Sequence, residues 1–288
     1  MKYISFSQYN TYTGCPWHWK KIYIDGIRID SPNIHFIFGT ALHHVLQTYL
    51  TLFYVKSEKE ANELDAPKLL LDTMIREFKK YEESVGNNDF VSANDLAEYY
   101  TDGVNIIDWF KKHRRDYFSK KGWKLVGCEV PLNYELLPGV QFIGYLDIVL
   151  ENEIENKVKI IDFKKSYMGW KDKAKKDPMK RGQLQLYKYF YSKINNIKQS
   201  NIDVEFLILK QKIFDYGEFT AKRIQKFIPP QSEITLKKTF ELFNNFVKTV
   251  FVNGDYNSDI IYEKLPSDSA CKYCPFSNLP EHCDKNGK

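Results

Sequence analysis

The sequence predicts an α/β protein with a central mixed sheet flanked by helices, and three observations carry that prediction. Up to about residue 122 the apolar residues recur at helical spacing. From about residue 123 the period shortens to the alternation of strands, and beyond about 180 helical and strand-like stretches interleave. The 288 residues suffice for a substantial core, and 43% hydrophobic with 16% aromatic residues excludes a disordered chain. We read a single domain over 1–288. It has a mainly helical part over about 1–122, an α/β core over about 123–230, and a C-terminal helix with a cysteine cluster over about 231–288.

The elements follow in order. "SFSQYNTYTGCPWHWKKIYI" reads as helical with Ser5 and Ser7 as candidate caps, and "FGTALHHVLQTYLTLFYV" has helical apolar spacing. Residues 61–82 and 93–119 form two longer amphipathic patterns, the second closed by Gly122. "KLVGCEVPLNYEL", "VQFIGYLDIVLE" and "VKIIDFKK" then read as three strands, the last two joined across the polar turn "NEIEN". A helix over "GQLQLYKYFYSKI", strands over "VEFLILKQ" and "YGEFTAKRI", and a helix over about 231–252 complete the pattern. There is no internal repeat, and no GxxxxGK[ST] loop of the kind an ATP-driven motor needs.

The net charge of +5, from 42 basic and 37 acidic residues, does not identify a nucleic-acid binder by itself. Two basic runs stand out. "KKHRRD" at 111–116 reads as a solvated helix face, whereas the lysines between 164 and 183 lead from a strand into a helix and suit a phosphate track. Tyr167 or Trp170 there would offer a stacking face for bases. No stretch reaches the 18 or so apolar residues of a membrane span, and "MKYISFSQYN" lacks the apolar core of a signal peptide, so the expectation is a cytoplasmic protein that does not engage membranes. In a reducing compartment, the crowding of Cys271, Cys274 and Cys283 favours metal ligation over disulfides. A fourth ligand would have to come from far along the chain. Cys128, in a strand-like stretch, reads as a small buried hydrophobe.

The stretch "IIDFKKS" carries the chemistry. Strand parity puts Asp162 and Lys164 on one face and Ile161 and Phe163 on the other. If the hairpin turns at Ile154 and Glu155, opposed residues carry numbers summing to about 309, and Asp147 faces Asp162. Two opposed carboxylates on a half-buried sheet repel unless a cation lies between them. Taken alone, the tripeptide DxK favours the reading of a solvent-facing sheet edge with an ordinary ion pair. Two further pairs add to it: Gly39 and His43, and Gln183 and Tyr187, each four residues apart on a helical face. Glu129, in the preceding strand, is either an accessory acid or a solvated strand residue.

In that order, GxxxH, the aspartate closing "GYLD", DxK and QxxxY resemble the RecB-like branch of the PD-(D/E)xK nuclease superfamily, found in recombination helicase-nucleases and CRISPR-associated exonucleases. The resemblance spans Ser5 to Cys283. It implies a restriction-endonuclease-like core in which His43, Asp147, Asp162 and the Phe163 carbonyl bind Mg²⁺ or Mn²⁺, with catalysis by Asp147, Asp162 and Lys164. Gln183 and Tyr187 would hold the substrate. Leu146 stands in place of the superfamily's proline, though this branch commonly carries a glycine three residues before the aspartate, as Gly144 does here, and Gln47 stands where relatives often have glutamate. The branch also contains members whose single N-terminal and three C-terminal cysteines hold a [4Fe-4S] cluster, which here implies Cys15, Cys271, Cys274 and Cys283 and a cluster joining the N- and C-termini. Zinc in the same thiolates, with His282 able to replace Cys283, is the alternative.

The expected function is therefore a DNA exonuclease or end-processing nuclease acting on single-stranded or duplex ends. A catalytically silent DNA-end-binding scaffold and a restriction-type endonuclease are the alternatives. Lacking helicase motifs, the chain would work alone or with a helicase or recombination partner.

Overall fold

The computed structural model describes residues 1–29, 32–86, 89–213, 221–272, 274–277 and 279–283. Strand β1 (Lys2–Ile4) precedes helix α1 (Phe6–Gly14), capped by Ser5, whose hydroxyl accepts from the Gln8 amide. Cys15 interrupts the predicted helix in extended backbone, and α2 (Pro16–Tyr23) restarts with proline in its first turn, where no hydrogen bond is lost. Asn33 caps α3 (Ile34–Val55), and α4 (Glu58–Glu63) and α5 (Ala66–Val85) follow, the latter closed by left-handed Gly86.

Helix α6 (Ala93–His113) stops short of the predicted 119. Arg114 starts a single 3₁₀ turn and is buried, its guanidinium 2.7 Å from Glu58 and donating to the Tyr49 hydroxyl. The basic run at 111–116 is thus partly structural. Gly122 does not close this helix; it has a positive φ in the turn before the next strand.

Strands β2 (Lys124–Leu137), β3 (Val140–Asn152) and β4 (Lys157–Ser166) match the predicted run. The short α7 (Asp172–Lys176) leads to α8 (Pro178–Asn195), capped by Asp177, and then β5 (Ile202–Lys210) and β6 (Ile224–Phe227). Most of the expected strand "YGEFTAKRI" lies outside the described residues; β6 begins at its last residue. Helix α9 (Glu233–Val250), β7 (Phe251–Val252), β8 (Asp255–Tyr256) and α10 (Asp268–Cys271) end the chain.

These elements form two compact units: Pro32–Pro131 with Tyr145–Glu233, and Met1–Ser31 with Leu132–Gly144 and Ile234–Lys288. In the first, β3 and β4 are antiparallel, β4 and β5 parallel, and β5 and β6 antiparallel, so the sheet is mixed. Ile148 opposes Ile161 and Val149 opposes Ile160, the register expected from a turn at Ile154 and Glu155. One sheet face, with Ile148, Leu150, Ile161, Phe163 and Leu207, packs into a core with α3, α5 and α6. On the other lies α8, against β4 and β5. Helices α5 and α6 approach closely at Gly103, where an added Cβ would stand 2.5 Å from Leu70.

The second unit pairs β1 parallel to the start of β3, Lys2 beside Val140. Its core is aromatic. Fully buried Trp19 meets Tyr12, Phe246, Tyr256 and Tyr262 with ring centroids 5.7 to 5.9 Å apart.

Candidate active site

Asp147 and Asp162 sit just past the last paired residues of the β3–β4 ladder, where the two strands part. Both are buried, at 9% and 2% exposure. The Phe163 amide donates to Asp147 Oδ2 at 2.7 Å, fixing one carboxylate against the strand that carries the other. Lys164 Nζ lies 2.7 Å from Asp162 Oδ2, a charge-assisted contact to an oxygen that water does not reach. A carboxylate oxygen carries more than one acceptor site, so one ammonium contact leaves capacity for a cation.

The electrostatics follow from this geometry. Burial pushes both carboxyls up to about 6, while Lys164 opposes the shift at each; Glu129 adds to it at Asp147, and Asp147 adds to it at Asp162. For Lys164, desolvation works against the charge, but Asp162 and Asp147 outweigh it and hold the ammonium above its ordinary range. Lys164 is therefore a fixed positive charge at neutral pH, not a proton acceptor.

His43 projects from α3, and its Nδ1 is 3.5 Å from Asp147 Oδ2, longer than a well-formed hydrogen bond. Burial, partly offset by Asp162, lowers its pKa and keeps the imidazole neutral, the form in which it can ligate a metal. On α8, the Gln183 amide donates to the Tyr187 hydroxyl at 3.2 Å, and that hydroxyl is electrostatically coupled to Asp162 and Lys164. The hydrogen-bonded QxxxY pair and the acids thus belong to one neighbourhood of the same unit.

A cavity of about 640 Å³ opens beside the acids, lined by His43, Glu129, Phe163, Lys164, Lys165 and Arg76 among others. Arg76 escaped the sequence reading, and Lys165 entered it only as one lysine of the basic run at 164–183. Lys165 was legible by parity: one residue past Lys164, it turns to the α3 side, where its ammonium donates to the His35 carbonyl and burial lowers its pKa to about 8. Arg76 lies on α5 with no motif to mark it.

Two expectations are corrected. Trp170 is no stacking platform: it is 9% exposed, its ring packs on Phe206 and Phe227 at 5.1 and 5.9 Å, and Gln225 accepts its backbone amide. A ring this apolar gains more from that core than from an open loop. Tyr167, 62% exposed, remains available. Cys128 is half-buried, its sulfur 3.4 Å from the Thr51 hydroxyl.

The four remaining cysteines all lie in the other unit. Cys15 stands between α1 and α2, and its sulfur accepts from the Leu265 amide at 3.5 Å; the Trp17 indole donates to the His282 carbonyl. The Cys274 thiol is raised by burial first, and also by Cys15, Cys283 and Cys271, so the four sulfurs are near enough to sense one another. Among the described residues, however, no group of three or more His, Cys, Asp or Glu has the geometry of a metal-ligand set, here or at the acids. What fits is the donor chemistry: four soft thiols for iron-sulfur or zinc, and two buried hard carboxylates for Mg²⁺ or Mn²⁺.

No described helix is long and apolar enough to cross a membrane. The family model described as the PD-(D/E)XK nuclease superfamily matches residues 3–279, and the mixed sheet flanked by helices is consistent with the restriction-endonuclease-like fold of that superfamily. Among curated proteins no match is found.

Proposed function

Because the chain belongs to the PD-(D/E)XK nuclease superfamily, we propose that it is a divalent-metal-dependent deoxyribonuclease of the RecB-like branch, an exonuclease or end-processing enzyme that hydrolyses phosphodiester bonds. One observation carries the reading. Two buried acids meet where β3 and β4 part, beside a lysine held charged 2.7 Å from one of them.

In this reading Asp147, Asp162, His43 and the Phe163 carbonyl hold Mg²⁺ or Mn²⁺, the ions nucleases of this superfamily generally use. Such an ion polarises the scissile phosphoryl group and lowers the pKa of a bound water. Lys164 keeps a fixed ammonium against the charge that builds on the phosphate, and it orients the attacking water by donating to it. Gln183 fixes the Tyr187 hydroxyl, and the pair holds the strand near the acids. Because both acids are buried, a single strand or a frayed end reaches them more readily than an intact duplex does.

The four cysteines are assigned a [4Fe-4S] cluster within the second unit, with zinc as the alternative. Protein purified without oxygen is expected to be brown, with broad visible absorption that Cys15→Ser abolishes. Colourless protein with one equivalent of zinc would replace iron with zinc at these thiols.

The function is tested on end-labelled single-stranded, blunt duplex and closed circular DNA, with Mg²⁺, Mn²⁺ or EDTA. Degradation of the linear substrates with either metal, none with EDTA, and survival of the circles is the expected pattern. Cut circles would assign an endonuclease; end binding without cleavage would assign a scaffold.

A further inference from the structure

Four non-glycine residues adopt a positive φ among the described residues, and three are asparagines in turns or at a helix end, which tolerate that conformation. The fourth is Glu129, at φ 51 inside β2. A left-handed glutamate in a strand is strained, and such strain persists only where the surroundings hold it. Its consequence is visible in the neighbours. Side chains of successive strand residues point to opposite faces, yet Cys128 and Glu129 both reach α3. The Cys128 sulfur lies against the Gln47 carbonyl and the Thr51 hydroxyl, and Glu129 Oε1 accepts from Gln47 Nε2 at 2.6 Å. The left-handed residue breaks the alternation as a β-bulge does, and re-aims one side chain.

What it is aimed into is the acid site. Gln47 is one turn along α3 from His43, and Glu129 lines the same cavity as His43 and Lys164. The charge of Glu129 is felt at both Asp147 and His43. Its own side chain is exposed where Asp147 and Asp162 are buried, so it lies on the solvent side of the acids, in the cavity lined by His43, Phe163 and Lys164.

We propose that Glu129 is a third acid of the cation site, turned into it by the left-handed backbone of β2 and held by the Gln47 amide, where it binds the water shell of the cation. Gln47 is its positioning residue. A carboxylate on the solvent side accepts hydrogen bonds from ordered waters without competing for the inner positions, and outer partners of this kind strongly affect metal affinity. The inference rests on the proposed divalent-metal site, and its test separates the two.

The test is direct Mn²⁺ binding to the intact protein, with free Mn²⁺ followed by electron paramagnetic resonance, beside metal-free thermal unfolding. Glu129→Gln keeps an acceptor for Gln47 and removes the charge; it is expected to weaken Mn²⁺ binding about tenfold or more with little change in Tm. The double replacement Gln47→Glu with Glu129→Gln returns a charge to the same hydrogen-bonded pair, and affinity should recover to within about threefold of the parent. Glu129→Asn, which suits the left-handed backbone, gives the same readout should the first variant fold poorly. Unchanged Mn²⁺ affinity in these single variants, with or without a loss of Tm, would make Glu129 a structural strut and overturn the inference. Asp162→Asn is the control: if it binds Mn²⁺ as the parent does, the cation site itself is misplaced and both proposals fall.

Discussion

Replacing Asp162 with asparagine is expected to reduce metal-dependent cleavage of DNA ends by roughly 10³-fold or more, since it removes charge stabilisation worth several kcal/mol in the transition state. The substitution is nearly isosteric. It also removes a buried negative charge whose pKa is already pushed up to about 6 by burial, so the fold should be retained or made slightly more stable. Lys164→Ala should cost activity on a similar scale by a different route. It deletes the fixed ammonium and leaves Asp162 without its 2.7 Å partner, so this variant is expected to be less stable as well as inactive. Lys164→Met keeps the aliphatic stem, so it controls for lost packing while still removing the ammonium and the partner of Asp162. End-labelled single-stranded DNA with Mn²⁺ reads the activity, and thermal unfolding reads the fold. Full activity in either Asp162→Asn or Lys164→Met would remove the proposed site.

The second large effect is on the coupling between pH and metal. Asp147 and Asp162 both titrate near 6 in the folded chain, against a usual value of 3.8. Because the folded pKa lies above the unfolded one, their contribution to stability is full below about pH 4 and is lost as pH rises through 6. Burial disfavours the charged form of each carboxyl, so stability is lost as both ionise with no cation to balance the charge. A divalent ion and protons compete for the same oxygens. Added Mn²⁺ should therefore raise the Tm strongly at pH 7.5 and little at pH 5, with the change centred near 6. Asp147→Asn should flatten that dependence. Thermal unfolding from pH 5 to 8 with and without Mn²⁺ measures it, and an equal Mn²⁺ shift at both ends of the range would contradict the assignment.

Much of the fold was legible because its signals are local. The alternation in β3 and β4 and the polar turn between them fix the hairpin, and the hairpin fixes the register that sets Asp147 beside Asp162. Parity also separates Phe163, in the core, from Lys164, on the face of the acids. What was not legible depends on partners remote in sequence. The end of α6 is set by Glu58 and Tyr49, which draw Arg114 inward, and nothing in residues 111–116 announces it. Trp170 was read as a surface ring because its neighbours in sequence are lysines and a glycine, whereas Phe206 and Phe227 bury it from across the sheet. In sequence, Glu129 reads either as an accessory acid or as a solvated strand residue. Its left-handed backbone and its hydrogen bond to Gln47 appear only in three dimensions.

The cysteines mark the other boundary. Spacing gathers Cys271, Cys274 and Cys283, and the fold brings Cys15 into the same unit, tied through Trp17 to Glu263 and His282. Thiolate chemistry alone does not separate iron from zinc.

The central claim is that Asp147 and Asp162 share one divalent cation. Anomalous diffraction from crystals grown with Mn²⁺ tests it most directly. A single strong peak at bonding distance, roughly 2.0–2.3 Å, from an oxygen of each carboxylate is the predicted result. A peak that touches only one of them, or none beside them at saturating Mn²⁺, would contradict it.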